Sequence, residues 1–174
     1  MHKIKELAIK WKLNNKNNEN VIHENIAFDK ATSIGILFYE DINIDFSILE
    51  NFVKKIKLEK NFVKVLVYTS EIKNIETDLE ITIFNKKDIS IMGEILNQEV
   101  NNFIEFNFDY LFCTYNVPFP AFDMILKKSQ AKCRVGIHNV ANADNFELMI
   151  EKSINNDLET SLNQLLYYVK VMKN

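Results

Sequence analysis

The residues of this chain best placed to do chemistry are Glu40, Asp41, Tyr115 and His138. Each lies at or just beyond the end of an apolar run that reads as a β-strand: Thr32–Tyr39, Asp109–Tyr115 and Lys132–His138. Brought together, the acids and the imidazole would form an acid–base pair or hold a divalent cation. A plainer reading competes and is favoured: Asp41, Asn43 and Asp45 are the residue types any strand-to-helix loop uses to satisfy local backbone N–H groups. Cys113 and His138 would make a nucleophile and base, but Cys113 sits inside its strand between Phe112 and Thr114, where a thiol behaves as a small core hydrophobe. No catalytic residue is assigned, and these four stand as candidates.

Cofactor chemistry finds even less support. The chain has three glycines, Gly35, Gly93 and Gly136, too far apart to form a glycine-rich turn. Without one, backbone N–H groups cannot approach a phosphate closely at a helix N-terminus. Arg134 is the only arginine, so two-pronged grips on phosphate or carboxylate are scarce and lysine must act as a point charge. His2, His23, Cys113, Cys133 and His138 show no zinc spacing. No Gly-x-Ser-x-Gly, His-Glu-x-x-His or Walker pattern occurs. Neither a cofactor nor a metal is expected.

The elements that must position these residues are regular. The 174 residues suit one domain. Thr32–Tyr39 reads as a central buried strand, followed by a helix over Phe46–Leu58 with Asp45 as its cap. Phe62–Thr69 and Glu80–Asn85 read as the next strands. The link between them is too short for an ordinary crossover helix, so either it is extended or the third strand is antiparallel. A helix is expected over Leu96–Ile104, a strand over Asp109–Tyr115, and a helix from Pro120 to about Gln130. Strands over Lys132–His138 and Phe146–Ile150 precede a last helix capped by Asn156 and Glu159 and ending near Met172. This alternation predicts an α/β fold: one three-layer Rossmann-like or flavodoxin-like domain with a mostly parallel sheet. In such a sheet ligands bind beyond the carboxyl ends of the strands, where strand order reverses. That rule is what places Glu40, Asp41, Tyr115 and His138 first.

Ahead of the domain, residues 1–16 form a basic amphipathic helix with Ile4, Leu7, Ala8 and Trp11 on one face and Lys3, Lys5, Lys10, Lys12 and Lys16 around it. An Asn-rich linker follows, so residues 1–20 are expected to stand apart from an α/β domain over 21–174. Burying Ile4, Leu7 and Trp11 is worth on the order of 5 kcal/mol, whereas a free helix this short is marginal in water. The face therefore calls for a partner: the domain itself, a second subunit, RNA phosphates or an anionic surface. Lys3, Ile4, Leu7, Lys10, Trp11 and Lys12 are the expected interaction residues. A net charge of −3 argues against a globally basic nucleic-acid binder. Two cysteines in apolar strands, and no apolar stretch of membrane-spanning length, point to a soluble cytoplasmic protein.

The basic N-terminal helix, Ser33-Ile34-Gly35-Ile36-Leu37, Phe108-Asp109-Tyr110-Leu111 and Ser129-Gln130-Ala131-Lys132 leading into Arg134-Val135-Gly136 together resemble an uncharacterised family of small bacterial α/β proteins, a domain of unknown function. The resemblance implies a single cytoplasmic domain and carries no catalytic residues. The expectation is a non-enzymatic interaction or binding module whose N-terminal helix mediates assembly or docking on a larger partner, a ribonucleoprotein among them. The alternative is an enzyme or small-molecule binder using the carboxyl-edge acids and histidine.

Overall fold

Ser33–Glu40 (β1) is the strand with the strongest apolar signal, and it lies at the centre of the sheet, buried along nearly its whole length. The computed structural model describes residues 26–40, 45–70, 75–115, 119–138, 140–151 and 157–172. The N-terminal helix and linker expected over 1–20 lie outside these residues, as do Asp41, Asn43 and Asn156.

Six strands form one sheet in the order β3-β2-β1-β4-β5-β6, every pairing parallel. The strands after β1 are β2 (Phe62–Thr69), β3 (Ile81–Phe84), β4 (Tyr110–Cys113), β5 (Cys133–Ile137) and β6 (Leu148–Ile150). This is the doubly wound Rossmann-type order, with its reversal between β1 and β4. The α/β expectation therefore holds, and the open question of the third strand resolves as parallel.

The helices are α1 (Ser47–Lys57), α2 (Gln98–Glu105), α3 (Pro120–Lys128) and α4 (Leu158–Val171). Side chains alternate faces along each strand, which divides the core in two. On one face Ile34, Ile36, Phe38, Val65 and Val67 pack against Leu49, Phe52, Val53 and Ile56 of α1 and Leu162, Leu165 and Val169 of α4. On the other, Leu37, Leu66, Leu111 and Cys113 meet Val100, Phe103 and Ile104 of α2 and Phe122, Met124 and Ile125 of α3. Each such side chain contributes roughly 1.5–3 kcal/mol of transfer free energy before ordering entropy is set against it.

The β2–β3 connection does a helix's work without one among its described residues. Ile75 and Leu79 pack onto the α1 face of the core, and the Thr77 hydroxyl donates to Glu50 of α1 at 2.5 Å. Helix starts follow their caps in α2 and α4. For α1 the capping position is Phe46, which makes no side-chain cap bond, and the expected cap Asp45 sits one residue earlier, accepting from the Ser47 N–H at 2.9 Å. Asn97 accepts from Glu99 and Val100, so α2 begins two residues later than periodicity suggests. Asp157, rather than Asn156, caps α4 by accepting from Glu159 and Thr160. A short Asp side chain reaches the N–H groups of the second and third helical residues from the residue directly before the helix.

Two polar clusters fix the sheet's amino-terminal edge and its β5–β6 side. Asp109, 6% exposed, accepts from the Thr32 N–H at 2.7 Å, the Ser33 N–H at 3.1 Å, both their hydroxyls, and Lys132 at 2.9 Å. Arg134 grips Glu147 with Nε and Nη2 and donates through Nη1 to the Leu126 carbonyl at 3.0 Å. The chain's only arginine is thus committed to joining β5 to α3 and to the segment before β6.

Candidate functional site

At the carboxyl edge, parallel register decides which side chains meet. Tyr39 pairs with Tyr68 and Glu40 with Thr69 across β1 and β2. Neighbouring strands lie about 4.8 Å apart, so rings at equal register stack at nearly that spacing. Tyr39 stacks on Tyr68 at 5.3 Å and on Tyr115, just beyond β4, at 4.5 Å. Phe119, which precedes α3, and Phe122 in its first turn close over this row edge-on, 5.3 and 6.2 Å from Tyr39. Phe119 also lies 4.7 Å from Tyr68. Packed aromatic pairs add about 0.5–1.5 kcal/mol each beyond the area they bury. The β1–β4 reversal is therefore walled on this face by five rings.

Pleating sends the next residues the other way. Glu40, 7% exposed, and Thr69, 1% exposed, share the α1–α4 face, where the Thr69 hydroxyl donates to Glu40 Oε2 at 3.2 Å. His138 has the parity of Gly136, whose missing Cβ leaves room for the Phe146 ring on the opposite face. Its backbone N–H extends the ladder to Ile150 at 2.7 Å. Its Nδ1 lies 3.8 Å from Glu151, the imidazole half-buried and the carboxylate exposed. Tyr115 and His138 thus share one face and Glu40 lies on the other. Among the described residues no hydrogen bond or ion pair joins Glu40 to His138, and Asp41 lies outside them.

Cys113 and Cys133 are buried, neither forms a disulfide, and burial pushes both thiols up to about 12. A thiol held in this way stays protonated at neutral pH and is a poor nucleophile. Among the described residues no group of three or more His, Cys, Asp or Glu side chains is arranged to hold a metal ion. Nor is any helix there long and apolar enough to cross a membrane.

Three features escaped sequence reasoning. The ring wall was hidden because Tyr39, Tyr68 and Tyr115 are far apart in sequence and meet only through register. The second is a small hairpin ahead of α2, where Ile89 and Ile95 bridge and Ser90 donates to the Glu94 carbonyl at 2.8 Å. Gly93 turns it with a φ of 73°, and Ile91, Met92 and Leu96 stand exposed around it. The glycine inside an apolar stretch was the signal available. The third is an open groove of about 640 Å³ at the amino edge, lined by Ile26, Phe28, Glu59, Lys170 and Met172 among others.

The family model for a family of unknown function (DUF6913) matches residues 5–172, and the chain belongs to that family. No curated protein matches the sequence. Among solved structures, the glycosyl transferase family 9 protein from Veillonella parvula DSM 2008 is similar, with a TM-score of 0.53 at 12% identity. The alignment covers 86% of this chain and 44% of that one, so this chain spans less than half its length. At that identity the likeness is one of fold.

Proposed function

We propose that this member of the family is a non-enzymatic interaction or binding module on a Rossmann-like sheet. Its basic N-terminal segment, through Lys3, Ile4, Leu7, Lys10, Trp11 and Lys12, mediates assembly or docking on a larger partner, ribonucleoproteins included. The observation that supports this reading is the ring wall. A sheet of this order holds ligands beside the strand-order reversal, and on one face that place is packed with Tyr39, Tyr68, Tyr115, Phe119 and Phe122. Apolar surface is presented elsewhere instead, on the Ile91–Met92 hairpin and along Tyr167, Tyr168 and Val171 of α4. Contiguous exposed apolar patches mark interaction surfaces. Deleting residues 1–16 is expected to change the oligomeric mass or the set of co-purifying partners. A truncated protein unchanged in both, and equally stable, would refute the reading.

A second reading rests on Glu40, a buried carboxylate beside Thr69 at the end of the central strand. It is a small-molecule binder or enzyme using Glu40, Asp41, Tyr115 and His138 at the carboxyl edge of the sheet, with Glu40 on the α1–α4 face and Tyr115 and His138 on the other. Thermal-shift screening against metabolites and divalent cations tests it. A hit abolished by Glu40→Gln supports it, and a hit indifferent to both Glu40→Gln and His138→Ala places binding elsewhere.

A further inference from the structure

The groove at the amino edge has a floor and a polar rim. Phe28 is buried, while Ile26, Ala27 and Met172 are half-buried and supply apolar lining. Lys60, itself buried, donates to the Phe28 and Ala31 carbonyls and lies 4.4 Å above the Phe28 ring. The Tyr110 hydroxyl donates to the Ile26 carbonyl. These bonds tie residues 26–31 to Lys60 and Tyr110. Lys170 pairs with Glu59 and so links the last turn of α4 to the end of α1. Next in sequence to these lining residues, Leu58 and Val171 are exposed.

We infer that this groove seats the apolar stripe of the chain's own N-terminal helix, with Ile4, Leu7 and Trp11 facing Ile26, Ala27 and Met172. The inference takes residues 1–16 as a helix, as the proposed function does, but is independent of any outside partner. Chain connectivity selects the occupant. The described structure starts at Ile26, and Ile26 is part of the groove wall. A helix ending at Lys16 leaves nine residues, 17–25, as a tether, with a reach of roughly 30 Å. A short flexible tether gives an effective concentration on the order of millimolar, which a partner at ordinary concentrations does not match. The lysines of the helix would face outward, leaving its basic side open while its apolar side is covered. An outside partner would then either read the lysines or displace the helix from the groove.

Trp11 is the only tryptophan in the chain and reports on its own surroundings. In the full-length protein its emission is expected to be blue-shifted from that of the urea-unfolded chain and shielded from acrylamide, unchanged on dilution. Met172→Glu and Ala27→Glu, read independently, put a charge into the half-buried lining. Either folded variant, checked by circular dichroism, is expected to move the emission and quenching to the unfolded values. Ile91→Glu, on the distant hairpin, is expected to leave both unchanged. An unshielded Trp11 in the wild-type protein overturns the inference, and so does shielding that survives both groove substitutions. Shielding lost on dilution, together with a fall from dimer to monomer mass, assigns the helix to a second copy and also overturns it. Partner recovery after the 1–16 deletion is scored separately, so the groove and the interaction module can fail independently.

Discussion

Asp109→Asn should destabilise the fold in a way whose pH dependence exposes the cause. Burial alone would raise the Asp109 carboxyl, but Lys132 and the Thr32 and Ser33 donors outweigh it and hold the group at about 2, against an ordinary 3.8. That difference corresponds to about 2 kcal/mol favouring the charged form in the folded state. Because the folded value is the lower one, the contribution is fully present above about pH 4 and is lost as pH falls toward 2. Asparagine keeps one acceptor oxygen but turns an N–H₂ group toward existing donors and removes the partner of Lys132. The Lys132 side chain is 39% exposed, so its orphaned charge stays hydrated. The cost therefore falls short of the 3–5 kcal/mol of a fully buried broken pair. We expect Asp109→Asn to lose about 2–3 kcal/mol at pH 7, measured by urea unfolding with the slope held common. The gap should stay constant down to about pH 5 and narrow as wild type approaches pH 3. A gap below about 0.5 kcal/mol at pH 7, or one that persists undiminished at pH 3, would refute the assignment.

Arg134→Lys should cost about 1.5–3 kcal/mol in the same assay, because an ammonium cannot span Glu147 and the Leu126 carbonyl together; a change within error would show that the planar fork is dispensable. Gly35→Ala would place a Cβ 2.9 Å from Phe108 and 3.0 Å from Leu111 in the packed centre of the sheet, and a loss of about 1–3 kcal/mol is expected from overpacking. Cys113 and Cys133 should resist thiol reagents at pH 8 in the native protein and react on unfolding, since burial holds both thiols at about 12. Rapid labelling of the native protein would contradict that.

Strand–helix alternation was legible because its signals are local: buried parallel strands read as continuous apolar runs, and helices repeat their apolar residues every three or four positions. Hence β1, β2, β5 and the helices from Ser47 and Pro120 stand close to where the pattern places them. Helix starts shifted by a residue or two where a better-placed Asn or Asp took the cap, as at Asn97 and Asp157. The direction of β3 could not be read, because an extended link packing Ile75 and Leu79 leaves no helical period to recognise. Which face each carboxyl-edge candidate takes was not legible, since one residue of pleat separates Tyr39 from Glu40 and sends them to opposite layers.

What the sequence by itself determined was the scaffold and the scarcity of phosphate-gripping parts. Glycine spacing and the single arginine are properties of composition and hold in any fold. The tertiary structure alone decided what the remaining residues do. Register gathers Tyr39, Tyr68 and Tyr115 into one wall, draws Asp109, Ser33 and Lys132 into an ion-paired knot, and spends Arg134 on Glu147. Contacts such as Tyr39–Tyr115 and Ser33–Asp109, each 76 positions apart, are set by which strands become neighbours, and no local pattern in the chain encodes that order.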